Sequence, residues 1–171
     1  MESTPEMKCT SQDARSCRTV SSVDMVKQFA VVVKESCPSV REEQLWKKVM
    51  LGIRLMHACR YKYADVVLTL TYASVYMRRA LAVQTKILTD SEVANLCVLC
   101  MYLAHSFVLD SHTKLQLWHK YVFRSSGEFK KLDAQVFDVF RTLDFKLRVL
   151  EDEENQVLRI LLQDSGTAHD S

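Results

Sequence analysis

Residues 89–110 read TDSEVANLCVLCMYLAHSFVLD, and this stretch decides the fold. After a polar start it is an almost wholly apolar helix, and it ends in the run YLAHSF at residues 102–107. Thr89 followed by Glu92 has the form of a capping box, in which each side chain binds a free amide at the start of a helix. The stretch therefore predicts a long apolar helix that begins just after Thr89.

The rest of the chain predicts further helices of the same domain. The chain has 171 residues, of which 48% are hydrophobic and 26% charged, enough for one core and a single domain. Three Gly and two Pro are few, which disfavours a many-stranded β-fold. Apolar residues recur three and four apart in six other segments, so we expect an all-α fold. These segments are residues 22–37, 40–61, 64–83, 113–124, 131–144 and 150–163.

Domain boundaries follow from composition. Residues 1–21 are polar, rich in Ser and Thr, and without helical periodicity, which predicts a flexible N-terminal arm. Residues 22–163 form the predicted helical domain, and residues 164–171 a disordered tail. Within the domain, Ser39 and Glu42 have the form of a second capping box.

Net charge and the N-terminal sequence indicate which partners and which cellular compartment to expect. A formal charge of +2 is too small to predict a nucleic-acid partner or a membrane partner by long-range attraction. The first residues contain no apolar run of the signal-peptide kind, so we expect an intracellular protein with its six cysteines reduced.

No pattern in the sequence predicts catalysis. There is no GxSxG, no glycine-rich phosphate loop and no triad-like grouping, so we expect a protein that is not an enzyme and has no small-molecule substrate. Cys97 and Cys100 have zinc or redox spacing, but buried thiols in an apolar helix are the better interpretation. His105, His112 and His119 lie seven apart and are interpreted as surface or helix-end histidines. We expect neither a metal nor another cofactor.

Three short runs, in order, resemble a cyclin box. The run LAHSFVL at residues 103–109 is similar to the end of the third box helix, and YMRRAL at residues 76–81 to the end of the second. The run LDFKL at residues 143–147 is similar to the close of the fifth box helix. The resemblance implies a single cyclin-box domain of about five core helices with an N-terminal and a C-terminal flanking helix.

Other positions depart from ordinary cyclins. Cyclins pair a Lys in the third helix with a Glu in the fifth, and those places fall here on Ser106 and Val136. The docking patch of the first box helix is replaced by KVMLG at residues 48–52. The run YLAHSF also resembles the neuronal group of cyclin-fold kinase activators, which lack most cyclin sequence.

The resemblance implies a function and a surface. It implies a regulatory subunit that binds and activates a cyclin-dependent protein kinase through the ends of the third and fifth box helices. An adaptor of the same fold that binds a transcription factor or scaffold protein is the alternative. Phe107, Phe145 and Leu147 are apolar residues at the ends of helices, and such residues could instead close the core. The implied kinase-binding positions are Leu103, Ser106, Phe107, Phe140, Phe145 and Leu147.

Overall fold

The computed structural model describes residues 21–110, 112–124 and 127–163. Within these ranges the chain folds into seven α-helices and no strand, which confirms the all-α prediction. In chain order the helices are α1 (Ser22–Ser36), α2 (Glu42–Ala58), α3 (Tyr63–Ala82), α4 (Asp90–Val108), α5 (Leu115–Tyr121), α6 (Phe129–Thr142) and α7 (Glu151–Leu161).

Helix α4 lies at the centre of the bundle and packs against α2, α3 and α6. Neighbours on several sides explain why its sequence is apolar nearly all round. By length and composition alone α4 is also the one helix in the described ranges that could cross a bilayer, and 56% of its most apolar window is buried within the bundle. Helix α3 pairs with α4 and brings α1 and α7 onto its other side.

The start of α4 carries the capping box that the sequence predicts. The backbone amide of Glu92 donates to the Thr89 hydroxyl at 3.3 Å, and the Thr89 amide donates to the Glu92 carboxylate at 2.8 Å. Both bonds satisfy amides that a helix start leaves free. Lys86 pairs with the same carboxylate at 2.8 Å, and these bonds lower the pKa of Glu92 to about 2.

The second predicted capping box is wrong. Helix α2 begins at Glu42, and its N-cap is Arg41, whose side chain makes no cap hydrogen bond. The carboxylate of Glu42 pairs instead with Lys34 at the end of α1. Arg41 pairs with Asp90 at 2.5 Å and so joins the start of α2 to the start of α4. A contact between helices therefore takes the Glu42 side chain that the local pattern assigns to a cap.

Two helices end in a left-handed residue that is not glycine. The amide of Tyr61 donates to the Met56 carbonyl at 3.1 Å, while Arg60 between them has φ 64°. The amide of Phe145 donates to the Phe140 carbonyl at 3.1 Å, a six-residue closure of the Schellman kind at the end of α6. This closure ends α6 at Thr142, two residues before the predicted end.

The predicted boundary between the N-terminal arm and the helical domain can be compared with the structure at one residue, Ser21. Ser21, assigned to the arm, is the N-cap of α1, because its hydroxyl accepts a hydrogen bond from the Asp24 amide at 3.2 Å. The remainder of the predicted arm, residues 1–20, and the predicted tail, residues 164–171, lie outside the described residues.

The predictions for the two cysteines and for His105 of α4 differ in outcome. Cys97 and Cys100 are fully buried and unpaired, as the apolar helix predicts, and burial raises the pKa of both thiols. His105 lies in the last turn of α4, as the helix-end interpretation predicts, but it is not a surface residue. Its imidazole is fully buried between Tyr61 and Trp118, because the side of α4 that carries it faces these two rings.

Candidate protein-binding groove

An apolar groove of about 950 Å³ opens where the end of α4 meets the ends of α3 and α6. We call it the α4/α6 groove. Its far wall is the segment between α6 and α7, residues 143–150, which we call the α6–α7 linker. Four side chains that line the α4/α6 groove are large, apolar and at least half exposed: Val83, Phe107, Phe145 and Leu150.

Aromatic contacts hold the wall formed by Phe145. Its ring meets Phe140 edge to face, with the centroids 4.8 Å apart, and lies 6.2 Å from the ring of Phe137. Edge-to-face aromatic pairs contribute about 0.5–1.5 kcal/mol beyond the area they bury. Across the groove, Phe107 lies 6.4 Å from Tyr72 of α3. Each exposed ring therefore lies next to at least one other aromatic ring.

The backbone that presents Phe145 is strained. Asp144 and Phe145 have φ 52° and 58°, a left-handed conformation that costs a residue with a side chain about 1–2 kcal/mol. Asp144 pairs with Lys146 at 2.7 Å, and this contact lowers the pKa of the Asp144 carboxyl. Strained backbone of this kind is concentrated at functional sites, where the surrounding structure holds it.

Side chains from α3 bind the α6–α7 linker. The Tyr76 hydroxyl donates to the Leu147 carbonyl at 2.6 Å, and Nη1 of Arg79 donates to the carbonyls of Lys146 and Arg148 at 3.0 and 3.1 Å. Three consecutive linker carbonyls are therefore satisfied by two residues of one helix. Nη2 of Arg79 also pairs with the Glu153 carboxylate at 2.7 Å, at the start of α7.

The structure brings four of the six implied contact residues together. Phe107, Phe140, Phe145 and Leu147 line the α4/α6 groove. Leu103 does not, since it is only 7% exposed and lines a neighbouring cleft that also includes Phe140.

Ser106 is likewise separate from the groove. Its hydroxyl is buried and has no hydrogen-bond partner within the described residues. Leu147 is only partly buried and packs against the core, whereas Phe107 and Phe145 are 50% and 52% exposed. Phe107 and Phe145 are therefore the implied contacts most available to a partner.

Three further exposed residues next to these were not predicted from the sequence. Val83 and Leu150 line the groove at 59% and 61% exposure, and Phe137 is 56% exposed next to Phe145. A signal for Phe137 was present in the sequence of α6, which carries six large apolar residues although only Leu132 and Val139 are buried. One buried face of a helix cannot hold this many apolar side chains, so some of them are predicted to face solvent.

The groove is suited to binding an apolar surface. Its wall and floor carry aromatic and aliphatic groups, with charged side chains confined to Arg79, Asp144, Lys146 and Arg148. Across the described ranges, no group of three or more His, Cys, Asp and Glu side chains is placed to hold a metal ion. An exposed apolar surface rimmed by polar groups is typical of a protein interaction site.

The chain was compared with protein families, curated proteins and solved structures. No family model matches the sequence, no curated protein matches it, and no solved structure matches the fold.

Proposed function

We propose that this protein is a non-enzymatic regulatory subunit that binds and activates a cyclin-dependent protein kinase through the α4/α6 groove. The observation that carries the proposal is that Phe107 and Phe145 line the same groove. These residues lie 38 positions apart in the sequence, yet both are half exposed on one groove. They come from the ends of the third and fifth helices of the proposed cyclin box, α4 and α6.

The proposed cyclin box consists of α2 to α6, with α1 and α7 as the flanking helices. The helix order supports this assignment, because the three cyclin-like runs close α3, α4 and α6 in turn. The central position of α4 against α2, α3 and α6 is compatible with it.

The energetics favour an apolar partner. Burying the exposed part of an aromatic side chain contributes on the order of 1 kcal/mol or more, at about 25 cal/mol per Å². A few aromatic side chains commonly supply most of the affinity of an interface. In the proposed complex, an apolar face of the kinase's regulatory helix covers Phe107 and Phe145 and is held in its active position.

A second candidate is an adaptor of the same fold that binds another protein and does not activate a kinase. It is favoured by Ser106 and Val136, which stand where cyclins carry a Lys and a Glu. Ser106 has its hydroxyl buried, and Val136 packs against the core, so neither supplies a polar anchor at the groove.

Kinase capture tests the proposal directly. The full chain is immobilised and exposed to a panel of purified cyclin-dependent kinases, and each captured kinase is assayed for phosphotransfer to a histone-type substrate. Capture with increased phosphotransfer is the expected result. Capture without activation would favour the adaptor, and absence of capture across the panel would overturn the proposal.

Matched variants locate the surface. Phe107→Glu and Phe145→Glu each place a charge in the groove, and we expect at least tenfold weaker capture with an unchanged helical signal. Val31→Glu is the control, because Val31 is similarly exposed, at 48%, but lies on α1. Equal loss of capture in all three variants would show that the groove is not the binding surface.

A further inference from the structure

We infer that Arg79 and Tyr76 are positioning residues that hold the α6–α7 linker in the shape that presents Phe145 and Leu147. The inference deepens the proposed function and rests on it where kinase binding is concerned. It assigns a role to two α3 side chains that lie about 70 residues from the linker in the sequence.

The linker has few hydrogen bonds of its own. The amides of Asp144, Phe145 and Lys146 close the end of α6, and that of Leu150 donates to Glu153. The carbonyls of residues 146–148 are bound by Tyr76 and Arg79. These three bonds tie the linker to the rigid centre of the bundle. A segment that follows two left-handed residues would otherwise have several accessible shapes.

Arg79 of α3 binds both the linker and the start of α7. One guanidinium nitrogen donates to two linker carbonyls, and the other pairs with Glu153. The same oxygen of Glu153 accepts the Leu150 amide at 3.0 Å. The planar guanidinium is suited to this role because it presents several donors in a fixed geometry, whereas a lysine ammonium does not.

Tyr76 supplies the third bond from inside the core. Its ring is fully buried, and burial raises the pKa of its hydroxyl, so the hydroxyl remains a donor throughout the neutral range. A hydrogen bond at 2.6 Å to the Leu147 carbonyl fixes the residue whose side chain lines the groove. Preorganisation of this kind lowers the entropy lost when a partner binds.

Adjacent arginines provide a matched pair for the test. Arg78 and Arg79 share the same helix and chemistry, but Arg78 pairs with Glu35 of α1 and reaches Gln156 of α7, without a bond to the linker. Amide hydrogen exchange is measured on the full chain as Arg79→Gln and Arg78→Gln. We expect exchange at the amides of Phe145, Lys146 and Leu150 to become at least tenfold faster in Arg79→Gln and to stay within twofold in Arg78→Gln.

A second variant covers the case in which Arg79→Gln disturbs the whole fold. Tyr76→Phe keeps the buried ring and removes one hydroxyl, so we expect faster exchange at the same three amides with little change elsewhere. Exchange in the linker that stays at the wild-type rate in both variants, or that rises equally in Arg78→Gln, would overturn the inference.

Binding separates positioning from a general structural effect. With a kinase captured by the wild-type chain, Arg79→Gln is expected to weaken binding about tenfold. In a background with both Phe145→Ala and Leu147→Ala the same change is expected to weaken it less than twofold, since Arg79 acts through those two side chains. Additive losses would overturn the positioning role. If no kinase binds, the proposed function fails, while the exchange result still decides whether the linker is held by α3.

Discussion

The imidazole of His105 lies with its ring centroid 5.6 Å from that of Trp118, in a site with no access to solvent. Tyr61 approaches the same imidazole from another direction, at 4.8 Å. Neither ring nitrogen has a hydrogen-bond partner within the described residues. Burial, followed by the charge of His112, lowers the pKa of His105 from 6.5 to about 4.

This depressed pKa predicts acid sensitivity. Between pH 6.5 and about 4 the unfolded chain binds a proton at His105 that the folded chain does not, so stability falls as pH falls. The slope from this residue approaches about 1.4 kcal/mol per pH unit within that window. Urea unfolding at pH 7.0, 6.0 and 5.0 measures it.

Two histidine variants give the controls for this measurement. His105→Leu is expected to be less dependent on pH between 6.5 and 5, because the titrating group is gone. His119→Gln is the matched histidine replacement outside the core, since His119 is only partly buried and its ring lies against the Gly127 carbonyl. The carboxylates with lowered pKa, such as Glu92, lose their contribution only below about pH 4.5. A wild-type slope in His105→Leu would contradict the prediction.

Gly52 lies in α2 where Met101 and Trp118 pack closely against its backbone. A Cβ added there would lie 2.9 Å from the terminal carbon of Met101 and 3.3 Å from the ring of Trp118. We expect Gly52→Val to lower the free energy of unfolding by about 2–3 kcal/mol through overpacking. Leu51→Val, at an exposed neighbouring position, should change it by less than about 1 kcal/mol. Chemical denaturation compares the two, and equal effects would show that the space at Gly52 is not limiting.

Arg60 offers a stabilising substitution. Its φ of 64° is left-handed, a conformation that costs a residue with a side chain about 1–2 kcal/mol and glycine almost nothing. After the larger entropy of glycine in the unfolded chain is included, Arg60→Gly should raise stability by about 0.5–1 kcal/mol. Arg54→Gly, inside α2, should instead lower it by about 1 kcal/mol. Thermal unfolding reports both, and a lower midpoint for Arg60→Gly would refute this account.

The two predicted capping boxes can be compared by alanine substitution. Thr89→Ala removes a hydroxyl that caps α4 and should cost about 1 kcal/mol. Ser39→Ala should change stability by less than about 0.5 kcal/mol, because α2 starts at Glu42 and Ser39 does not cap it. Denaturation midpoints measured side by side decide the matter, and similar losses at both sites would contradict the assignment of the caps.

Local sequence was sufficient to predict the helices. The period of three to four predicts a helix wherever one face must be buried, and α3 matches its predicted segment to within one residue at each end. The start of α4 was equally predictable, because Thr89 and Glu92 interact only three residues apart. Interactions of this range depend on the chain itself and not on what surrounds it.

The groove depended on contacts that no local pattern contains. The run at residues 143–147 gave Phe145 and Leu147 as implied contact residues. Their exposure differs because only Leu147 packs against the core. Val83 and Leu150 reach the same groove from separate helix ends. Their exposure is set by how α3, α4 and α6 meet, which periodicity within one helix does not specify.

The sequence by itself determined seven helical segments, their approximate ends and the apolar character of α4. Only the tertiary structure decided that Ser39 makes no cap, that His105 is buried and that Arg79, not Arg78, holds the linker. Adjacent helical residues point about 100° apart, so two neighbouring arginines meet different neighbours. The physical reason for the division is range: a helix is specified by residues three or four apart, whereas burial and long-range hydrogen bonds are specified by the packing of whole helices.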